Sequence, residues 1–271
     1  MGALDRPRGA PAPAGDVRLS VVVPAFREVA HVAGTVARVR EELADVAADG
    51  GLEVVVVDDG SGDGTADAAR VAGADVVLEL HPNQGKGGAV RAGMRAARGR
   101  TRAFTDADLS YAPHQIRGLL ERVEEGWDVV VGDRYHEGST TLVEAGRLRR
   151  VGGRAINLAT RAVLVGRHPD TQCGLKALRG DVADVLFAHT RIDGFAFDVE
   201  LIHLVERHGL SLVEVPVEVA NSDRSTVHVA RDALRLLGDL ARIRAAGASG
   251  AYDLSAEEGV RLSLGASEPA E

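Results

Sequence analysis

Two aspartates one residue apart, Asp106 and Asp108 in "TDADLS", follow the short apolar run "TRAF". Carboxylates that close repel unless a cation or a proton lies between them. A hard divalent cation such as Mg²⁺ takes one or two carboxylates and fills its octahedron with phosphate oxygens and water. In a strand, alternate residues face the same way, so this spacing can aim both acids beyond a sheet edge. The chemistry suggested is a Mg²⁺ or Mn²⁺ site; the plainer alternative is a polar turn.

Other polar groups end apolar runs in the same manner. "LSVVVPAF" leads into Pro24 to Glu28, "LEVVVVDDG" into Asp58 and Asp59, and "WDVVVGDR" into Asp133 and Arg134. Asp58 has two readings, an acceptor for a nucleotide base or ribose and a turn residue ahead of an Asp63 helix N-cap. In "HPNQGKGGAVRAGM", Gly85, Gly87 and Gly88 surround Lys86 and resemble a phosphate-cradling helix N-terminus. The spacing is not that of a Walker A loop, and close packing of the helix explains the glycines equally well.

These residues need elements to hold them. Nearly uniform β-branched runs alternate with amphipathic stretches such as "GGAVRAGMRAARG" and "HQIRGLLERVEEG". That alternation predicts an α/β fold with a mainly parallel central sheet flanked by helices, where ligands collect at the carboxyl ends of the strands. After Gly146 a basic stretch, "GRLRRVGGRAINLATRAVLVG", precedes the polar loop "RHPDTQCGLKAL". Two helical stretches, the strand "SLVEVPVEV" and the amphipathic "VHVARDALRLLGDLARIR" complete the pattern. The expected division is a disordered lead over 1–17, one domain over 18–245, and a flexible acidic tail over 246–271.

The bulk numbers restrict function. Aromatics are 3% of 271 residues, so Val, Leu and Ala must build the core. A net charge of −8 gives no basis for a nucleic-acid partner. The single cysteine, Cys173, excludes an internal disulfide and points to a reducing compartment; as a small apolar residue it reads as core filler. Nine histidines without HExxH or similar spacing give no zinc motif. No apolar run reaches the roughly 18 residues of a membrane span, and Arg6 stands where a myristoylation motif needs Ser or Thr. These features predict a cytoplasmic protein.

Taken together, "VVVPAFRE", "VVVVDDGSGDGT" and "TDAD" resemble the first-strand, nucleotide-binding and D-x-D segments of family 2 glycosyltransferases. "NQGKGGAVRAGM", "DTQCGLKAL" and "DGFAFDVELIHLVERHGLSLVEVPVEV" are similar to the dolichyl- and polyprenyl-phosphate β-glucosyltransferase branch. The resemblance covers about residues 18 to 245 and implies a GT-A (nucleotide-diphospho-sugar transferase) fold. By this resemblance Pro24, Glu28 and Asp58 hold the nucleotide, and Asp106 and Asp108 bind the metal that bridges its diphosphate. Arg134 and Arg149 match arginines that bind an acceptor phosphate, while Lys86 and Gln172 lie in motifs lining the substrate site. Arg27 stands where the family pattern has Asn, Ser110 where a further metal ligand can occur, and Gly153 where a small hydroxyl residue is frequent.

The activity implied is inverting transfer of a hexose from a nucleotide-diphosphate sugar, UDP-glucose by the branch resemblance, to a polyprenyl or dolichyl phosphate. Alternatives are GDP-mannose as donor, a soluble or protein acceptor, and a nucleotide-sugar-binding protein without turnover. Asp198 and Glu200 are candidates for a general base, or for acids that order Arg134 or Arg149. The basic stretches from Gly146 and at the "RDALRLLGDLARIR" end suit peripheral docking on the inner face of the cell membrane, or ordinary surface helices with arginine stems over core.

Overall fold

In the computed structural model, which describes residues 7–9, 13, 15–143, 170–220 and 229–263, the Val-rich runs become strands. β1 (Leu19–Ala25), β2 (Leu52–Asp58), β3 (Val76–Glu79), β4 (Thr101–Phe104) and β5 (Val129–Asp133) alternate with helices. The helices are α1 (Val32–Glu42), α2 (Ala44–Ala48), α3 (Thr65–Val71), α4 (Lys86–Ala96) and α5 (Ile116–Glu124). Farther along the chain, β7 (Lys176–Arg179) and β8 (Leu212–Pro216) join the same sheet. The seven strands lie in the order β3-β2-β1-β4-β7-β5-β8.

All neighbours are parallel except β7, which runs antiparallel to both β4 and β5. The loop expected at "DTQCGLKAL" is therefore half strand: its apolar end is a central, wholly buried strand. Running antiparallel, β7 starts where its neighbours finish, so the "DTQCG" segment preceding it is delivered to the carboxyl edge of the sheet. A small parallel pair, β6 (Thr140–Val143) with β9 (Glu218–Ala220), lies outside the main sheet.

Both sheet faces are covered, which is why the strands show little alternation. On one face Val22, Val57 and Phe104 pack with α4, with α6 (Gly180–His189) and with α7 (Phe197–Arg207). On the other, Val21, Val23 and Val130 pack with α1 and α5.

Two sequence expectations are corrected at the chain's ends. Residues 246–263 do not fray: α8 (Val229–Ala248) is followed by a turn and by α9 (Ala256–Ser263). Tyr252 is fully buried and Leu262 nearly so, both within the core. A reciprocal capping box starts α9, with the Ser255 N–H donating to Glu258 Oε2 (2.8 Å) and the Glu258 N–H to Ser255 Oγ (3.2 Å). In the lead, the Arg8 N–H donates to Gly126 O (3.1 Å) and its guanidinium pairs with buried Asp128 (3.2 Å). Among the described residues no helix is long and apolar enough to cross a membrane.

Candidate active site

The carboxyl ends of β1 and β2 are laced together by short polar contacts. The Ser61 N–H donates to Asp58 Oδ1 (2.9 Å), and Ser61 Oγ accepts from the Arg27 N–H (2.7 Å). The Glu28 N–H donates to Thr65 Oγ1 (3.0 Å), so the segment after Pro24 rests on the start of α3. Arg27 has φ 59°, a left-handed conformation that Asn adopts more readily. The Asn-to-Arg departure thus leaves the turn in place at a local strain cost. Asp63 accepts from the Thr65 N–H (3.0 Å) and hydroxyl (2.6 Å), but Gly64 holds the N-cap position expected for Asp63.

Asp59 has a different task from its neighbour. It accepts from the backbone N–H groups of Gln84 (2.7 Å) and Gly85 (2.8 Å), and thereby fixes the loop before α4. Burial raises its pKa, against the pull of those two bonds. The phosphate-cradle reading of this helix start is corrected. The Gly87 and Gly88 N–H groups donate to the carbonyl of Asp193 (2.7 and 3.2 Å), so these amides are already used. A Cβ on Gly87 would sit 2.5 Å from Ile192 O and 2.7 Å from Phe197 Cβ; the glycine is there for close packing.

What this packing delivers is Lys86. Its Nζ lies 2.5 Å from Asp106 Oδ1. Burial opposes the charge on Lys86, but the carboxylates of Asp106, Asp198 and Asp108 together raise its pKa. β4 stops at Phe104, so strand alternation is not what brings the two acids together. A turn does so: the Leu109 N–H donates to Asp106 O (3.0 Å), the Ser110 N–H to Asp108 Oδ1 (3.0 Å), and Leu109 takes φ 50°. With its N–H committed to Asp108, Ser110 braces that carboxylate.

The "DTQCG" segment closes over the same place. A Cβ on Gly174 would lie 2.2 Å from Asp106 Oδ2, so only glycine lets the chain pass there. Gln172 lies two residues earlier, its N–H donating to Asp170 Oδ1 (3.3 Å). Asp170 is buried and takes the Arg134 guanidinium bidentately, from Nε at 2.6 Å and Nη2 at 2.7 Å, together with the Arg134 N–H at 3.1 Å. Burial disfavours charge on both, yet each holds the other ionised: Arg134 is raised and Asp170 lowered. The fork fixes the guanidinium plane, and the side chain stays about one-third exposed (33%). Cys173 is buried, and burial pushes its thiol up to about 11, as befits packing and not nucleophilic chemistry.

Asp198 is placed differently from the sequence expectation. Its partner is Lys176, Nζ to Oδ1 2.5 Å, and not Arg134; Lys176 Nζ also donates to Cys173 O (2.6 Å). Burial raises the Asp198 pKa against the pull of Lys176 and Lys86. Glu200 points elsewhere: its carboxylate accepts from the Arg191 and Ile192 N–H groups (2.8 and 2.9 Å) and from the Tyr252 hydroxyl (2.5 Å). Arg149 and Gly153, with the basic stretch from Gly146, lie outside the described residues.

The donor set can be tested against a divalent cation. Among the described residues no group of three or more His, Cys, Asp or Glu side chains is assembled for a metal ion, so two protein carboxylates are what the site offers. Two carboxylates braced at one turn, with one already on an internal cation, fit a hard metal that completes its shell with phosphate and water. Sequence reasoning missed Lys176 and Gly174, and gave Asp59 no role apart from Asp58. For Lys176 the signal was a lysine inside the apolar run "GLKAL", which demands a buried partner.

Known proteins supply the family and the fold. The family model described as Glycosyl transferase family 2 matches residues 20–187. The chain is 33% identical over 224 residues to dolichyl-phosphate beta-glucosyltransferase of Drosophila melanogaster, covering 77% of this chain and 69% of that one. It is 32% identical over 212 residues to polyprenol monophosphomannose synthase of Mycolicibacterium smegmatis, covering 74% and 76%. With glycosyltransferase AglD of Haloferax volcanii it shares 31% identity over 247 residues, 89% of this chain but only 39% of AglD's length. Among solved structures, glucosyl-3-phosphoglycerate synthase from Mycobacterium tuberculosis, in complex with Mn²⁺, uridine-diphosphate and glucosyl-3-phosphoglycerate, superposes with a TM-score of 0.58. The identity is 22%, over 88% of this chain and 81% of that one. That likeness identifies the fold as GT-A, and on the family match the chain belongs to glycosyl transferase family 2.

Proposed function

We propose that this chain moves a hexose, with inversion, from a nucleotide-diphosphate sugar to the phosphate of a polyprenyl lipid, and that UDP-glucose is the donor. The observation that carries the reading is the convergence of Asp106, Asp108 and Lys86 with the Arg134–Asp170 fork at one edge of the sheet. In this reading the segment from Pro24 to Glu28 and Asp58 hold the base and ribose, and Gln172 lines the sugar pocket. Asp106 and Asp108 hold a Mg²⁺ or Mn²⁺ ion. When bound, that ion neutralises charge developing on the departing diphosphate.

The acids support an acceptor that is already an anion. An acceptor hydroxyl needs a base within reach of its proton. Asp198 is buried on Lys176, and Asp170 is spent on Arg134, so neither is poised for that task. A phosphate oxygen needs only to be held in line with the anomeric carbon. Arg134, with Nε and Nη2 on Asp170, keeps its remaining Nη1 edge for such an oxygen. Arg149 is the second arginine of this reading. The names of the relatives support the lipid phosphate, and they also differ in sugar, glucose in one and mannose in another. In this reading the enzyme docks peripherally on the inner face of the cell membrane, where a lipid acceptor would be met.

A donor panel tests this. UDP-glucose, GDP-mannose and other nucleotide sugars are offered with polyprenyl phosphate, or with 3-phosphoglycerate as a soluble phosphate-bearing acceptor, in Mg²⁺, Mn²⁺ or chelator. The reading expects metal-dependent transfer of glucose to the lipid phosphate alone. Transfer only to the soluble acceptor, or no transfer from any donor, contradicts it.

A further inference from the structure

Two lysines serve the acidic centre of the site, and they are held very differently. Lys176 is fully buried and fixed from two sides, by Asp198 Oδ1 and by the Cys173 carbonyl. Lys86 is the first residue of α4, its side chain 21% exposed, and its Nζ lies 2.5 Å from Asp106 Oδ1. Its four-carbon stem gives the ammonium freedom to change partner. Asp198 and Asp108 both lie within electrostatic reach of it. Lys86 therefore rests on Asp106 with two further carboxylates, Asp108 and Asp198, in its field.

That pairing sets how a divalent cation enters. Added alone, the cation must displace the Lys86 ammonium from Asp106 and leave it beside a dication. Added with a diphosphate, it brings anionic oxygens that accept the displaced ammonium, and the charges compensate.

We infer that Lys86 is an exchangeable counter-ion, which holds Asp106 while the site carries no divalent cation and releases it to metal and diphosphate together. The inference rests on the reading of Asp106 and Asp108 as the metal site. Lys86 is in this sense a positioning residue that makes metal and donor bind as a pair. It keeps Asp106 neutralised between turnovers, and it weakens capture of metal without donor.

The test is Mn²⁺ binding, read from the electron paramagnetic resonance signal of free Mn²⁺, with and without UDP. It is run on the parent chain, Lys86→Met and Asp106→Asn. The parent is expected to bind Mn²⁺ weakly alone and much more tightly with UDP. Lys86→Met is expected to bind Mn²⁺ alone about tenfold tighter, because a unit charge at contact distance is removed, and to lose most of the gain from UDP. Its melting temperature should fall in chelator and recover in Mn²⁺, which keeps the test readable if the variant is fragile without metal. Unchanged or weaker Mn²⁺ affinity in Lys86→Met, with Asp106→Asn impaired, overturns the counter-ion role and leaves the metal site standing. Parent-like Mn²⁺ binding by Asp106→Asn overturns both.

Discussion

Alanine at position 174 adds one methyl group where the structure has no room for it. The new Cβ would lie 2.2 Å from Asp106 Oδ2, 2.8 Å from its Cγ and 3.1 Å from its Oδ1. Gly174 does not take a left-handed φ, so backbone strain does not enter and the effect is steric alone. Ordinary contact begins at 3.4 Å, so the Asp106 carboxylate or the loop must yield by about 1 Å. Overpacking of that size costs about 1–3 kcal/mol of stability. A reacting or ligating group misplaced by about 1 Å loses on the order of 10²-fold in rate. The assay is kcat/KM for sugar transfer in saturating Mn²⁺, beside Mn²⁺ affinity and the melting temperature. Gly174→Ala is expected to lose about 10²-fold in kcat/KM and to weaken Mn²⁺ binding. The stability cost of the methyl should shrink in an Asp106→Ala background, where the clash is gone. A Gly174→Ala enzyme with parental rate and metal affinity refutes the reasoning, as does a stability cost indifferent to the Asp106 side chain.

Two further expectations concern the Arg134 fork and two half-buried histidines. Asp170→Asn leaves the Arg134 charge without its partner; breaking a buried pair costs about 3–5 kcal/mol, and partial exposure of Arg134 lowers this to about 2 kcal/mol. Acceptor KM should rise far more than donor KM; equal loss of both contradicts the assignment of Arg134 to the acceptor. For the folded pair the sign is that of a depressed carboxyl: Asp170's contribution is present above the ordinary Asp range and is lost as pH falls through its lowered folded value. Burial, aided by the Arg207 charge, lowers the pKa of His203 and His208 from 6.5. As pH falls through that value the unfolded chain takes up protons before the folded one, so stability drops until the lowered folded values are reached. His203→Phe preserves the edge-on contact with Tyr252 (centroids 5.9 Å apart) and should shrink the fall in melting temperature between about pH 7.5 and 5.5. An unchanged pH dependence counts against it.

The strands were readable because burial on both faces leaves a plain record, a run of Val and Leu without alternation. Asp58, Asp106 and Arg134 were readable because each follows such a run, where a parallel sheet exposes its carboxyl edge. Local pattern failed where a distant segment decides the outcome. "LKAL" is too short, and too marred by its lysine, to announce a central strand; Lys176 is tolerated only because Asp198, 22 residues on, meets it. Asp59 looked like a twin of Asp58, but its partners are the amides of Gln84 and Gly85. The helix at Ala256–Ser263 was overlooked although its signal was local: Ser255 and Glu258 spell a capping box inside a segment whose acidity suggested a tail.

Binding of UDP as a function of Mn²⁺, together with glucose transfer to polyprenyl phosphate, addresses the central claim most directly when Asp106→Asn and Asp108→Asn are compared with the parent. Both variants, folded as judged by an unchanged circular dichroism spectrum, should lose the Mn²⁺-dependent part of UDP affinity and nearly all transfer, and chelator should do the same to the parent. Transfer at the parental rate by either variant, or by the parent in chelator, contradicts the claim that these two carboxylates hold the cation on which departure of the diphosphate depends.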